Sequence, residues 1–203
     1  MKRALEVLVI VSALVPRTAT ADVVFGLSVA VARDAGTPVV DAAWMDAQVV
    51  EANRLFGPLG TRFRPVASKE LAEPHGEMHT REDRNALTPL TSAEKVIHLF
   101  LVRALEDVDE PGRMRMGVCW TGRGGKRFLV MSRIAGASVL AHELGHFFGN
   151  PHSGVMNNVM SYSRDGGTPF FDAPQGQTIK SFSLRFLGEK RLIDIGPVPA
   201  PKT

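Results

Sequence analysis

The sequence predicts an α+β fold organised around one β-sheet. Five segments have the apolar, β-branched composition of strands, three others have the features of helices, and the chain shows no internal repeats. Of the 203 residues, 44% are hydrophobic and 22% are charged, which supports a single domain with a substantial core. We therefore expect one globular domain over residues 22–195, preceded by a separate N-terminal segment and followed by a disordered tail over residues 196–203.

The first half of the domain is predicted to contain three strands and one helix. VVFGLSVAVA, residues 23–32, is a nearly continuous apolar run, which is typical of a buried strand. The helix begins near Asp41 and ends at Gly57, since the two residue types favour helix starts and helix ends respectively. The polar stretch over residues 67–93 predicts a long surface loop. Further strands are predicted on either side of that stretch, at residues 61–66 and 95–102.

The second half is predicted to contain two strands followed by two helices. RMRMGVCWTG, residues 113–122, is a strand candidate, and RGGKRFLVMS, residues 123–132, contains a turn and a fifth strand. A helix is predicted over residues 136–148 and is followed by an irregular segment rich in Gly, Asn and Pro. QGQTIKSFSLRFLGEKR, residues 175–191, predicts a C-terminal helix.

The first 21 residues have the features of a secretory signal peptide. Lys2 and Arg3 precede the apolar run VLVIVSALV, and Ala19, Thr20 and Ala21 form a small-residue cleavage site. The alternative is a membrane anchor, but a run of nine residues is too short to cross roughly 30 Å of hydrocarbon as a helix. We therefore expect an exported protein, secreted or periplasmic, with no membrane span in the mature chain.

The charge balance gives no indication of nucleic-acid binding. The chain has 24 basic and 21 acidic residues. Removal of residues 1–21 would leave 21 and 20, a net charge near +1. Such a chain lacks the cationic excess that attracts phosphate backbones, so we expect no nucleic-acid partner.

Cysteine usage excludes an internal disulfide, because Cys119 is the single cysteine. Stability must therefore come from packing, helped by any bound metal. Cys119 lies between apolar neighbours in MGVCWTG, which predicts a buried, unreactive thiol. The alternative is a thiol that caps a zinc ion and keeps the protein latent.

The stretch HELGHFFGNPH, residues 142–152, places three histidines and a glutamate within eleven positions, and it begins on the second predicted helix. On that helix His142 and His146 are about 40° apart, so both rings can bind one ion, and Glu143 lies about 60° from His146. The apolar residues Leu140, Leu144, Phe147 and Phe148 cluster on the opposite side. We therefore expect the histidine side to face a cleft.

A third ligand has to come from beyond the helix. Imidazole nitrogens suit zinc, and a catalytic zinc takes three protein ligands and leaves the fourth position for water. A continuing helix would carry His152 roughly 15 Å along the axis from His142. Gly149 tolerates the left-handed conformation that ends helices, and Pro151 prevents the helix from resuming. The sequence therefore predicts a Zn²⁺ site formed by His142, His146 and His152.

These residues resemble a known family. HELGHFFGNPH resembles the extended zinc-binding consensus of the metzincin metallopeptidases, and NNVMSYS, residues 157–163, resembles their Met-turn. Ser153 and the short link from His152 to Met160 are similar to the matrixins. Tyr162 is similar to the corresponding tyrosine of the astacins and serralysins.

The resemblance implies a metzincin-like catalytic domain, in which a twisted, mixed five-stranded sheet packs with an active-site helix and a C-terminal helix. Its function would be that of a zinc endopeptidase, in which Glu143 activates the zinc-bound water and passes the proton to the leaving amine. Met160 would lie beneath the ligands as a structural residue, and Tyr162 would donate a hydrogen bond to the developing oxyanion or simply pack. A protein or peptide substrate would lie extended along the strand near residues 113–121.

Two other classes of function remain open. One is a binding module that keeps zinc for stability and cuts nothing, although such a module would be expected to lack Glu143. The other is a zinc hydrolase that acts on a substrate other than a peptide. Because the predicted domain begins almost at the cleavage site, we also expect no long inhibitory propeptide.

The remaining histidines have weaker signals. His75 and His79, with the acidic residues near them, could hold a second ion. Pro74 and Gly76 instead favour a solvated polar loop. His98 alternates with apolar neighbours in a predicted strand, which is typical of a half-buried residue.

Overall fold

The structure is a computed structural model that describes residues 22–91 and 94–197. The predicted signal peptide, residues 1–21, lies outside the described residues, as do residues 198–203 of the predicted tail.

Within the described ranges the chain forms nine strands and four α-helices. The strands are β1 (Val23–Val31), β2 (Arg33–Asp34), β3 (Thr37–Pro38), β4 (Thr61–Glu70), β5 (Glu77–Met78), β6 (Ile97–Val102), β7 (Ala104–Leu105), β8 (Gly117–Thr121) and β9 (Arg127–Ser132). The helices are α1 (Ala42–Phe56), α2 (Arg81–Ala86), α3 (Val139–Phe147) and α4 (Ala173–Gly188), and short 3₁₀ segments cover Gly57–Leu59, Glu73–His75, Thr88–Thr91 and Arg123–Gly125. Of the helices in this part of the chain, none has both the length and the apolar composition that crossing a membrane requires.

Five strands form the central sheet, in the order β4-β1-β6-β9-β8. The first four are parallel to one another, and β8 pairs antiparallel with β9. This topology confirms the expected mixed five-stranded sheet. Because β8 forms one edge, main-chain groups on its outer side can pair with another extended chain.

Helix α1 has the boundaries that the sequence predicts. The Asp41 carboxylate accepts a hydrogen bond from the N–H of Trp44 at 2.7 Å and caps the first turn. Gly57 follows the last helical residue. The buried side chains recur at helical spacing and pack onto the sheet: Met45, Val49, Ala52 and Phe56.

The larger core lies between one face of the sheet and the helices α1, α3 and α4. Alternate residues of β1 point into it, namely Phe25, Leu27 and Val29. Helix α3 and its C-cap contribute the apolar residues that were expected to face the core: Leu140, Leu144, Phe147 and Phe148. This packing sets the rotation of α3 about its axis and directs the histidine side away from the core.

The prediction of a long surface loop over residues 67–93 is wrong. Strand β4 runs on to Glu70, and the stretch then forms β5, α2 and two 3₁₀ segments. Helix α2 starts with a capping box, because Thr80 and Asp83 each accept a hydrogen bond from the other's backbone N–H. Leu71, Met78 and Leu87 are buried and cover the second face of the sheet, whose own side chains include Phe100, Phe128 and Val130. That face is too apolar to stay in contact with water.

Three predicted boundaries also shift. The strand expected over residues 113–122 pairs with β9 only from Gly117, since the N–H of Arg115 donates to the C=O of Leu105. The helix expected from residue 136 starts at Val139, after a turn. Helix α4 begins at Ala173, two residues early, because Asp172 caps it.

Candidate active site

Helix α3 presents two histidines on its cleft side. The Nε2 atoms of His142 and His146 lie 3.1 Å apart, one helical turn from each other. The Nδ1–H of His142 donates to the C=O of Val159 at 2.7 Å, and that of His146 donates to the C=O of Asn150 at 2.8 Å. Because a carbonyl can only accept, these bonds place each neutral ring's proton on Nδ1 and leave the Nε2 lone pair free to bind a metal.

The chain reverses direction at Gly149. This residue has a φ of +89°, in the left-handed region that favours glycine. The N–H groups of Gly149 and Asn150 donate to the C=O groups of His146 and Gly145 at 2.9 and 3.0 Å, which makes a Schellman motif at the helix end. As a result, the Nε2 of His152 returns to 3.0 Å from that of His146.

The three histidines fit a zinc ion by donor type and by spacing. One ligand atom from each of His142, His146 and His152 lies within 4.8 Å of the others. Tetrahedral zinc with bonds of about 2.0–2.1 Å needs neighbouring nitrogens roughly 3.3 Å apart. The observed separations of 3.1 and 3.0 Å are close to that value. A cation between converging lone pairs would also remove their mutual repulsion.

Desolvation favours the neutral form of all three rings, although His152 itself is exposed. It lowers the pKa of His142 to about 4, because a charged imidazolium is poorly solvated there. Burial is also the main cause of the lowered pKa of His146 and of His152, and the charge of Arg115 lowers the pKa of His152 further. Neutral imidazole is the form that binds zinc, so the rings can act as ligands near pH 7 without losing a proton.

Glu143 lies beside the histidines in the same cleft, which has a volume of about 400 Å³. Its side chain is only 5% exposed, and burial raises its pKa to about 8, while the N–H of Cys119 and the charge of Arg115 oppose that rise. Gly117 of β8 leaves room for it, since a Cβ at that position would lie 2.8 Å from the Glu143 carboxylate oxygen Oε1. Strand β8 therefore forms the wall against which this carboxylate rests.

Met160 lies against the underside of α3. It is fully buried, and a Cβ on Gly145 would lie 2.2 Å from the Met160 sulfur. The N–H of Met160 donates to the side chain of Asn158, whose amide exchanges two hydrogen bonds with Gln175 at the start of α4. The turn that carries Met160 is thus attached both to α3 and to α4.

Tyr162 reaches the metal site from the solvent side. Its hydroxyl lies 2.7 Å from the Nε2 of His152, and its side chain lines the cleft. The residue is 67% exposed, which is high for a tyrosine that serves only to fill a core. The geometry therefore makes its hydroxyl available to a ligand in the cleft.

The second metal site suggested by His75 and His79 is not formed. Among residues 22–91 and 94–197, one group of three or more potential ligands has its ligand atoms close together, and it is the group on α3 and its C-terminal extension. His79 instead contacts carboxylate oxygens of Glu106 and Glu77 at 2.9 and 3.3 Å.

His98 and Cys119 differ from the expected burial. His98 is buried, with 5% exposure, rather than half-buried, and its Nε2 has no hydrogen-bond partner among the described residues. Cys119 was expected to be buried but is half-buried and lines the cleft. Desolvation nevertheless raises the pKa of its thiol to about 12, which agrees with an unreactive thiol.

Sequence reasoning missed several residues that shape the site. Asn150 orients His146 through its backbone C=O, and its position one residue after Gly149 is a local signal that could have indicated this. Gly117 and Arg115 approach Glu143 only because β8 lies beside α3. No local sequence pattern reports that contact.

Comparison with solved structures identifies the fold. Tannerella forsythia mature mirolysin, in complex with a cleaved peptide, is 11% identical with a TM-score of 0.59, and the match covers 80% of this chain and 92% of that one. Metalloproteinase-II from Bacteroides fragilis is 12% identical with a TM-score of 0.58, covering 81% and 55%. Archaemetzincin from Methanopyrus kandleri is 22% identical with a TM-score of 0.53, covering 85% and 100%. No protein-family model and no curated protein matches the sequence. The chain therefore has the fold of the metzincin metallopeptidases, with a histidine triad in position to bind a metal.

Proposed function

We propose that this chain is a secreted, zinc-dependent endopeptidase. The observation that carries the proposal is the convergence of three imidazole Nε2 atoms at a cleft that His146, His152 and Glu143 line. Strand β8, an edge of the sheet, borders the same cleft. Metal ligands, a proton acceptor and a surface for an extended chain are the three parts that peptide-bond hydrolysis needs.

His142, His146 and His152 are the proposed zinc ligands. Zinc bound by them would act as a Lewis acid that polarises the substrate carbonyl and acidifies water. The hydrogen bonds from His142 to Val159 and from His146 to Asn150 hold the rings in orientation for this task. Met160 supports the site from below through its contact with Gly145 and is not a ligand.

Glu143 is the proposed general base. A zinc cation bound beside it would favour the ionised form of this buried group, and the carboxylate would then take a proton from the attacking water and deliver it to the nitrogen of the leaving amine. Burial between α3 and β8 restricts its rotamers, so the carboxylate is held in one orientation. Tyr162 would donate its O–H to the oxyanion that develops on the substrate carbonyl.

The proposed substrate is an extended peptide that pairs with β8. Support comes from the free edge of this strand and from the likeness to mirolysin, whose structure holds a cleaved peptide. Export by the segment 1–21, domain limits of 22–195 and a disordered tail from 196 remain part of the proposal. The near-neutral charge of the mature chain supports a protein or peptide partner over a nucleic acid.

The test is hydrolysis of an unbiased peptide library by zinc-loaded protein and by the Glu143→Gln variant. Loss of the general base should reduce kcat by about 10²–10⁴-fold while zinc content, measured by atomic absorption, stays at one per chain. A matched variant, Glu51→Gln, changes a carboxylate that pairs with Arg54 on α1 and should retain parental activity. A chelator should abolish cleavage, and added zinc should restore it.

Equal cleavage rates for the parent and for Glu143→Gln would show that Glu143 is not the base. Peptide binding without any cleavage by the zinc-loaded parent would favour the non-catalytic binding module. Cleavage of other ester or amide substrates but of no peptide would favour the non-peptide hydrolase.

A further inference from the structure

One wall of the cleft next to the metal site carries a cluster of arginines. We define the arginine wall as Arg81, Arg84 and Arg115, which come from α2 and from the segment before β8 and line the cleft together with His152 and Glu143. Trp120 of β8 lies under this wall, with the Arg84 and Arg81 guanidinium carbons 4.9 and 6.0 Å from its ring centroid. The wall thus extends the cleft away from the proposed reaction centre.

Two of the three arginines have their charge compensated. Arg81 pairs with the exposed Asp109, and Arg115 pairs with Asp107. Asp107 is itself committed, since it also accepts hydrogen bonds from the N–H groups of Asp109 and Glu110 at 2.8 and 3.2 Å. Both carboxylates are therefore in direct contact with the other two arginines of the wall.

Arg84 is the member of the wall that has no direct ion pair among the described residues. It is only 3% exposed, donates one hydrogen bond to the C=O of Glu106, and has an Nε with no hydrogen-bond partner among the described residues. None of the ion pairs within residues 22–91 and 94–197 includes it. Desolvation lowers the pKa of its guanidinium, which expresses how unfavourable this burial is for the charge. The negative charge of Asp107 favours the charged form of Arg84, but that carboxylate is in direct contact with Arg115, so Arg84 is a buried cation without an ion pair of its own.

This further step rests on the proposed endopeptidase function. We propose that the arginine wall binds a carboxylate of the substrate peptide, and so selects peptides with an acidic group within a few residues of the cleaved bond. Arg81 and Arg115 have partly exposed side chains that can contact the ligand carboxylate. Arg84 is buried behind them, and its charge adds to the positive electrostatic potential of the wall. The carboxylate can come from an Asp or Glu side chain or from a peptide C-terminus.

The test uses matched peptides that differ only by Glu or Gln at one position, scanned across the cleaved bond, each with a free or an amidated C-terminus. For zinc-loaded parent we expect a kcat/KM at least tenfold higher for Glu than for Gln at one position, as charge-assisted hydrogen bonds give. A free C-terminus preferred over the amide would instead assign the wall to the chain end. Either preference should shrink in high salt.

Two variants test whether the arginine wall causes the preference for the Glu peptide. Arg81→Gln removes an exposed charge and should reduce the Glu-over-Gln ratio of kcat/KM about two- to fivefold. Arg185→Gln, which removes a similarly exposed and ion-paired arginine on α4, should leave the ratio unchanged. A ratio near one for the parent at every position and at the C-terminus would overturn the inference while leaving the endopeptidase function intact.

Binding provides a readout that does not depend on cleavage. Fluorescence anisotropy with the Glu143→Gln variant should show tighter binding of the Glu peptide than of the Gln peptide. If the parent cuts no peptide but this preference is present, the proposed function fails and the arginine wall stands. Equal affinities for both peptides would refute the claim that the arginine wall binds a carboxylate.

Discussion

Gly149→Ala tests whether the chain reversal builds the metal site. Two costs follow from the structure. A non-glycine residue at φ +89° stores about 1–3 kcal/mol of backbone strain. The added Cβ would also lie 2.5 and 2.6 Å from two carbons of the Phe182 ring, far inside van der Waals contact, and such overpacking costs about 1–3 kcal/mol.

We therefore expect Gly149→Ala to lower the free energy of unfolding by about 2–6 kcal/mol, measured by urea denaturation of metal-free protein. Zinc affinity, measured by competition with a chromogenic chelator, should fall at least tenfold, because His152 follows three residues after the strained position. Gly154→Ala is the matched control: it changes a glycine of the same segment with open space around the new Cβ and should stay within about 0.5 kcal/mol of the parent.

The two costs can be separated by a double-mutant cycle. In a Phe182→Ala background the ring is absent, so Gly149→Ala should then cost only the strain, and the coupling energy should be about 1–3 kcal/mol. A Gly149→Ala variant with parental stability and parental zinc affinity would refute the claim that this reversal requires glycine. A coupling energy near zero would refute the steric part alone.

Three other predictions concern buried groups. Met160→Ala should lower the free energy of unfolding by about 2–5 kcal/mol, and Met160→Leu by less than about 1.5 kcal/mol. Equal losses for the two variants in urea denaturation would contradict the packing of Met160 against α3. Burial lowers the pKa of His98 below 6.5, so the unfolded chain binds the proton more tightly and stability falls as the pH drops below about 6.5. Below that pH the free energy of unfolding of the parent, compared with that of His98→Gln, should decline by up to about 1.4 kcal/mol per pH unit. A difference in urea midpoints that does not change with pH would contradict this prediction. Burial raises the pKa of Cys119 to about 12, so iodoacetamide at pH 8 should alkylate its thiol in urea but not in the folded protein. Rapid alkylation of Cys119 in the folded protein, detected by mass spectrometry, would contradict this prediction.

The sequence predicted the convergence of the three histidines because each signal there is local. The spacing of His142 and His146 needs only the helical repeat, and the return of His152 needs only a glycine that can adopt a positive φ. The same holds for α1, whose ends are marked by Asp41 and Gly57. In these two elements each residue acts on neighbours within about ten positions, so the pattern of residue types was sufficient to predict the local structure.

The errors arose where short elements depend on distant partners. Helix α2 has six residues, too few for a hydrophobic period, so residues 67–93 looked like a loop. Its capping box at Thr80 and Asp83 is a local feature in this stretch that favours the start of a helix. Leu87 is buried only because the sheet face carrying Phe100 lies beneath it, and nothing in the neighbouring sequence indicates that contact.

By itself, therefore, the sequence determined the α+β class, the order of the main elements, and three histidines disposed to meet at one ion. The tertiary structure alone decided that Glu143 is buried against Gly117, that Trp120 underlies Arg84, and that the Nε of Arg84 has no hydrogen-bond partner within residues 22–91 and 94–197. The physical reason is the range of the interactions. Helical spacing and glycine conformation act within one stretch of chain, whereas burial and charge compensation depend on which segments pack together.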